Sequence, residues 1–277
     1  MSKARLAARF AAIKVEGRAA FVPYVMAGDP DAATARAILE GLPAAGADLI
    51  ELGFPFSDPM AEGPPIQRAA QRALGKGMTL KATLGMVADF RTADATTPII
   101  LMGYTNPLVT WGYDAFARDA AAAGVDGLII VDLPPEEADP LADACDAHDI
   151  SLIRLATPTS DDARLKVVVS RTSGFVYYVS VAGVTGVKEA DAAAVAPQVA
   201  RVRAASGLPV AVGFGIKTPE RAAAIARVAD GVVVGSALVD EVADALADHD
   251  NVTARVLSKV AALAKAVRAA RTEPATV

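Results

Sequence analysis

FVPYVMAGDPD, residues 21–31, reads as a buried strand running straight into a helix start. Its first six residues are almost wholly apolar, as a strand covered on both faces requires. Asp29-Pro30-Asp31 then precedes the first helix, as an N-cap with acidic residues in the first turn should. The turn between strand and helix is AGDP. It lacks the G-x-G-x-x-G of an open, doubly wound dinucleotide-binding sheet. That sheet is the alternative architecture, and the missing fingerprint argues against it.

Seven further apolar runs follow: 48–54, 98–104, 127–133, 151–157, 174–180, 209–215 and 231–238. Ala-rich helical stretches separate them, among them 31–44, 113–123, 137–148, 189–204 and 218–227. Most strand-plus-helix units take about 20–30 residues, and the second is longer. Eight consecutive units imply a closed (β/α)₈ barrel, an α/β fold of the TIM type. AAGAD (44–48), AAGVD (122–126) and VADG (228–231) each end a helix just ahead of a strand. Thr218-Pro219-Glu220 repeats the helix-start device. No composition break divides the chain, so residues 1–277 read as one domain, with 271–277 a frayed tail. An extra N-terminal helix is expected in MSKARLAARFAAIK, where Leu6, Phe10 and Ile13 fall at helical spacing. A basic, Ala-rich organellar presequence is the other reading of that segment.

The 277 residues are 53% hydrophobic and only 5% aromatic, with net charge −5. An acidic chain is a poor nucleic-acid binder. Backbone amides can still hold a phosphate without Lys or Arg. No apolar run reaches the roughly 18 residues that span a bilayer. Cys145 is the one cysteine, which excludes an intrachain disulfide and suits a reducing, cytoplasmic compartment. His148 and His249 have no metal-ligand spacing, so no metal is expected.

Barrel chemistry sits at the C-terminal ends of the strands. In IELGFPFSDPMAEGPP (50–65), alternation puts Leu49, Glu51 and Gly53 on one face and Ile50, Leu52 and Phe54 on the other. The second set is bulky and apolar and belongs against the helices, so Glu51 points into the barrel mouth. Burial there raises a carboxyl pKa, which suits a general acid. A buried Glu satisfied by a backbone or tyrosine partner is the bland alternative. The next loop is stiffened by prolines and brings two more acids, Asp58 and Glu62. Gly213 and Gly215 end strand seven, and Gly235-Ser236 lead strand eight into a helix. Glycines admit close backbone approach, and a helix N-terminus favours an anion. This pairing is a common barrel phosphate site. Glycines serving tight packing alone would look the same. Gly183, Thr185 and Gly186 after strand six suggest a lid.

Together ELGFPFSDPMAEGP (51–64), YYVSVAGVTG (177–186) and VGFGI (212–216) closely resemble the α subunits of tryptophan synthase. The resemblance runs from about Phe21 to about residue 270. It implies a lyase of tryptophan biosynthesis that cleaves indole-3-glycerol phosphate to indole and glyceraldehyde 3-phosphate. Glu51 matches the family's catalytic acid–base and Tyr177 its supporting tyrosine. Gly186, Gly215, Gly235 and Ser236 match phosphate-binding positions, with Gly213 beside them. Tyr24, Met102, Leu128 and Phe214 match positions lining the indole pocket. Where the best-known members carry a second catalytic Asp, this chain has Glu62. No cofactor is implied in this chain. The partner is a pyridoxal-phosphate β subunit in an αββα assembly. The segments 55–58 and 104–108 resemble the β-facing surface, with Pro55, Asp58, Asn106 and Pro107 there and Thr185 in the lid. Pro107 and Leu108 are expected to be exposed in the isolated chain. Three alternatives remain from sequence: another phosphate-binding barrel such as an isomerase or epimerase, a stand-alone lyase with no β partner, and a non-catalytic barrel subunit.

Overall fold

In a computed structural model, residues 2–180, 192–213 and 215–271 are described. The N-terminal helix α1 (Ser2–Val15) precedes β1 (Ala20–Met26) and α2 (Ala32–Gly41). Strand β2 (Ile50–Gly53) is followed by two helices, α3 (Pro64–Gly75) and α4 (Leu80–Arg91), which account for the long second unit. Next come β3 (Ile99–Gly103), α5 (Thr105–Trp111), α6 (Tyr113–Ala123) and β4 (Gly127–Ile130). After one 3₁₀ turn at Pro135–Glu137 stand α7 (Asp139–Ala147), β5 (Ser151–Leu152), β6 (Arg154–Ala156) and α8 (Asp162–Val169). The chain closes with β7 (Val176–Val179), α9 (Ala192–Ser206), β8 (Val210–Gly213), α10 (Pro219–Ala226), β9 (Gly231–Val234), α11 (Ser236–Ala247) and α12 (Val252–Ala269).

Among the described residues nine strand segments stand where eight runs were read, because the fifth run is broken at Ile153. The sheet order is β5-β4-β3-β2-β1-β9-β8-β7-β6, with every recorded pair parallel. The two end segments, β5 and β6, are separated by a single residue. One half of the stave pairs with β4 and the other half with β7, which closes the (β/α)₈ barrel.

The end of the barrel where the strands begin is built on a repeated device. Asp48 gives its N–H to Phe21 O, and its carboxylate accepts from Phe21 N. Asp126 repeats this exchange with Ile99, and Asp230 with Val210. Each carboxylate is also paired with arginine: Arg18 on Asp48, Arg5 and Arg91 on Asp126, Arg203 on Asp230. The Asp residues of the AGAD, AGVD and VADG turns therefore lock adjacent strands in register. A buried acid is tolerated only when paired and hydrogen-bonded in this way. Helix α1 covers the same end, with Leu6, Phe10 and Ile13 buried. Phe10 meets Phe175 ring to ring at 5.6 Å.

Helix starts follow the sequence signals. Asp31 accepts from Thr34 N at the start of α2, and Thr218 accepts from Arg221 N at the start of α10. Among the described residues no helix is long and apolar enough to cross a membrane.

Candidate active site

Tyr24, Glu51 and Ile100 are register partners on β1, β2 and β3, so they share one face of the sheet. Glu51 and Tyr24 line a cavity at the C-terminal mouth of the barrel together with Glu62, Met102 and Tyr177. The alternation read from IELGF thus has the right phase, with Glu51 inward.

Two glycines on that inward face make room for the aromatic rings. A Cβ at Gly53 would occupy the position of the Tyr24 hydroxyl, and a Cβ at Gly213 that of the Tyr177 hydroxyl. The phenols can stand side-on in the mouth only because those positions carry no side chain. Gly213, assigned to the phosphate site from sequence, has this packing duty in the structure.

Glu62 reaches the same cavity from the loop between β2 and α3, and Tyr104 holds that loop. The Ala61 N–H donates to Tyr104 Oη (3.1 Å), and Phe56 stacks on the Tyr104 ring at 5.4 Å. Phe54 fills the space over Gly103, and Gln67 Nε2 donates to Glu62 O (2.9 Å).

Both carboxyls are nearly sealed from solvent, Glu51 at 2% exposure and Glu62 at 6%. Among the described residues neither is in an ion pair. Burial pushes the Glu51 carboxyl up to about 8, and the charge of Glu62 adds to that. Burial alone pushes Glu62 up to about 7. Burial also carries the Tyr24 and Tyr177 phenols well above their ordinary range, with the two carboxylates reinforcing it. Near neutral pH the pair accommodates one proton more readily than none, because burial disfavours both charges and each opposes the other.

Another part of the wall comes from the loops after β8 and β9. Gly215, Gly235 and Ser236 line it. Gly215 has φ +72°, which a side chain would strain, so its backbone can face the cavity. Ser236 opens α11, whose first amide groups lack helical acceptors and carry the positive end of the dipole. Carboxyls on one part of the wall and anion-seeking amides on another suit a ligand with a phosphate at one end and a protonatable ring at the other.

The profile of the family described as "Tryptophan synthase alpha chain" matches residues 10–268. The chain belongs to this family. The tryptophan synthase alpha chain of Phenylobacterium zucineum is 80% identical over 271 residues, covering 98% of each chain. That of Caulobacter sp. strain K31 is 71% identical over 99% of each. The crystal structure of tryptophan synthase subunit alpha from Legionella pneumophila superposes with TM-score 0.89 at 41% identity, covering 95% of this chain and 98% of that one. As a tryptophan synthase alpha chain, the enzyme catalyses the α reaction of tryptophan biosynthesis, the lyase cleavage of indole-3-glycerol phosphate.

Two sequence readings need correction. Leu128, expected in the indole pocket, is register partner of Leu101 and Leu152 on the helix-facing side. Its neighbour Ile129 pairs with Met102 and so shares the inward face. Leu108, expected to be exposed, is fully buried. The segment read as a loop, YTNPL, is the start of α5, where Pro107 is tolerated because first-turn N–H groups need no helical acceptor. Helical geometry turns Leu108 inward, leaving Asn106 and the 56%-exposed Val109 outside. On the preceding loop Pro55 is buried, while Asp58 and Met60 are exposed. Gly183, Thr185, Gly186 and Phe214 lie outside the described residues. Ile66, Ile216 and Val233 also line the cavity and were not singled out from sequence. Val233 was within reach of the alternation argument, since it is register partner of inward Val22.

Proposed function

We propose that Glu51, protonated, delivers its proton to the indole ring carbon that bears the glycerol phosphate chain. The resulting cation is stabilised by the Glu62 carboxylate, accepting the ring N–H. The Glu51 carboxylate then takes the proton of the adjacent side-chain hydroxyl as the carbon–carbon bond breaks. Indole and glyceraldehyde 3-phosphate leave, and Glu51 is protonated again. The observation that carries this reading is the pair of sealed carboxyls lining one cavity, both of which burial makes hard to ionise. Two neighbouring acids that resist ionising together share one proton, and so divide into a proton donor and a charged stabiliser. Tyr177 packs beside them and supports the step. Gly215, Gly235 and Ser236 hold the phosphate through backbone amides, with Gly186 assigned there by resemblance. Tyr24 and Met102 bound the indole ring, with Phe214 assigned there by resemblance.

The chemistry asks this chain for proton transfer and anion binding alone, with no resident cofactor. We assign pyridoxal phosphate to a β subunit that receives the indole in an αββα assembly. The face formed by Asp58, Met60, Asn106, Pro107 and Val109 would meet it. Exposed Met60 and Val109 support this, since they add apolar area beside the mouth. The free, buried Cys145 suits a reducing cytoplasm. Indole formation by the pure chain, measured alone and with a tryptophan synthase β subunit, tests the partner assignment. A large rate increase on mixing is expected. An unchanged rate would point to the stand-alone lyase.

A further inference from the structure

The end of the barrel remote from the acid pair holds a second cavity, of about 370 Å³. That lies within the size range of small-molecule sites. Helix α1, the turn from α9 into β8, the start of β9 and the end of α12 border it, and it opens to solvent. Four cations face it: Lys14, Arg18, Arg203 and Arg271. Asp230 is the one acid of the lining.

These cations are not equally committed. Arg18 is held between Asp48 and Glu16, and Arg203 donates to Asp230 (Nε to Oδ2, 3.0 Å). Arg271 spends Nε and Nη2 on the carbonyls of Ala226 and Ala229, which fixes its guanidinium, and among the described residues it meets no carboxylate. Among the described residues Lys14 meets no carboxylate. Two positive charges are therefore left over among the described residues, facing one cavity. Phe10, Ile13 and Leu208 give the same cavity an apolar wall. Phe10 is held against Phe175, so that wall is preformed. A cation pair beside a fixed apolar surface recognises a molecule with both features.

We propose that this cavity is a binding site for a small amphipathic organic anion, a carboxylate or phosphate head on an aromatic or aliphatic body. The head lies between Lys14 and Arg271, and the body lies on Phe10 and Leu208. The site stands at the beginning of β8 and β9, whose other ends carry the Gly215 and Gly235 loops of the active site.

Calorimetric titration of the full chain tests this with naphthalene-2-carboxylate, 2-naphthyl phosphate and the neutral naphthalene-2-carboxamide. At least one anion is expected to bind one-to-one and the amide to give no saturable heat. Lys14→Gln and Arg271→Gln should each weaken anion binding by about tenfold, the loss of one charged hydrogen bond. Lys14→Gln should leave indole formation unchanged, which excludes misfolding. Absence of saturable binding by either anion overturns the proposal. So does equal binding of the amide, or anion affinity that survives both substitutions, since the ligand would then lie elsewhere.

Discussion

Gly213 and Tyr177 face each other across adjacent strands, and the Tyr177 hydroxyl occupies the space where a side chain on Gly213 would begin. The contact links a backbone choice on β8 to the position of a phenol beside Glu51. Gly213→Ala should displace that hydroxyl. Overpacking of this kind costs about 1–3 kcal/mol, and a shift of about 1 Å in a reacting group can cost on the order of 10²-fold in rate. In steady-state assays Gly213→Ala is expected to lower kcat strongly. Placed in a Tyr177→Ala background, which removes the hydroxyl and the ring carbons that crowd that position, the same change should cost much less. Equal costs in both backgrounds would refute the packing argument.

The pH dependence follows from the acid pair. Glu51, raised to about 8, stays protonated at neutral pH, while Glu62, raised to about 7, is already half ionised there. The competent form has one proton on the pair. A bell-shaped kcat/KM profile is expected, with its limbs close together near 7 and 8 and belonging to the pair as a unit. A plateau from pH 5 to 9 would contradict the acid–base assignment.

Stability should respond to the same protons. A carboxyl raised in the folded state binds protons better there than in the unfolded chain. Its contribution is full below the unfolded value near 4.3 and is lost as pH rises through about 8. Glu51→Gln removes a group that resists ionisation. It should raise the melting temperature relative to wild type at pH 9 and leave it nearly unchanged at pH 4. The difference in stability is on the order of a few kcal/mol. Differential scanning calorimetry at the two pH values reads it directly.

Glu62 is expected to act on the transition state more than on substrate capture. Glu62→Gln should lower kcat by about 10²–10³-fold, the usual effect of deleting one charge-stabilising group, with KM little changed. A rise in KM at constant kcat would make Glu62 a binding residue instead.

At the other end of the barrel the Asp126 knot carries stability and no chemistry. Asp126 is fully buried and joins Ile99 N, Arg91 and Arg5. Asp126→Ala strands two arginines and should cost about 3–5 kcal/mol in urea unfolding. The protein that remains folded should keep its kcat.

The barrel was legible in the sequence because each strand is a short apolar run and several helices announce their ends, as at Asp31 and Thr218. The AGAD, AGVD and VADG turns were visible as punctuation. Their reciprocal bonds to neighbouring strands were not, since those partners lie 20 to 27 residues back along the chain. Glu51 could be aimed by alternation because its strand shows a clean contrast between its two faces. GLIIV carries no such contrast, so Leu128 and Ile129 could not be told apart. Leu108 was misread because proline masked the start of α5. The grip of Tyr104 on Ala61 depends on a loop conformation that no local pattern encodes.

Glu51 as the acid–base group is the centre of this account. Rapid-quench measurement of indole release from indole-3-glycerol phosphate by Glu51→Gln tests it most directly, with substrate binding followed by calorimetry on the same protein. The expected result is substrate affinity within a few-fold of wild type and turnover reduced to the detection limit. Substantial indole release by Glu51→Gln, with binding intact, would contradict it.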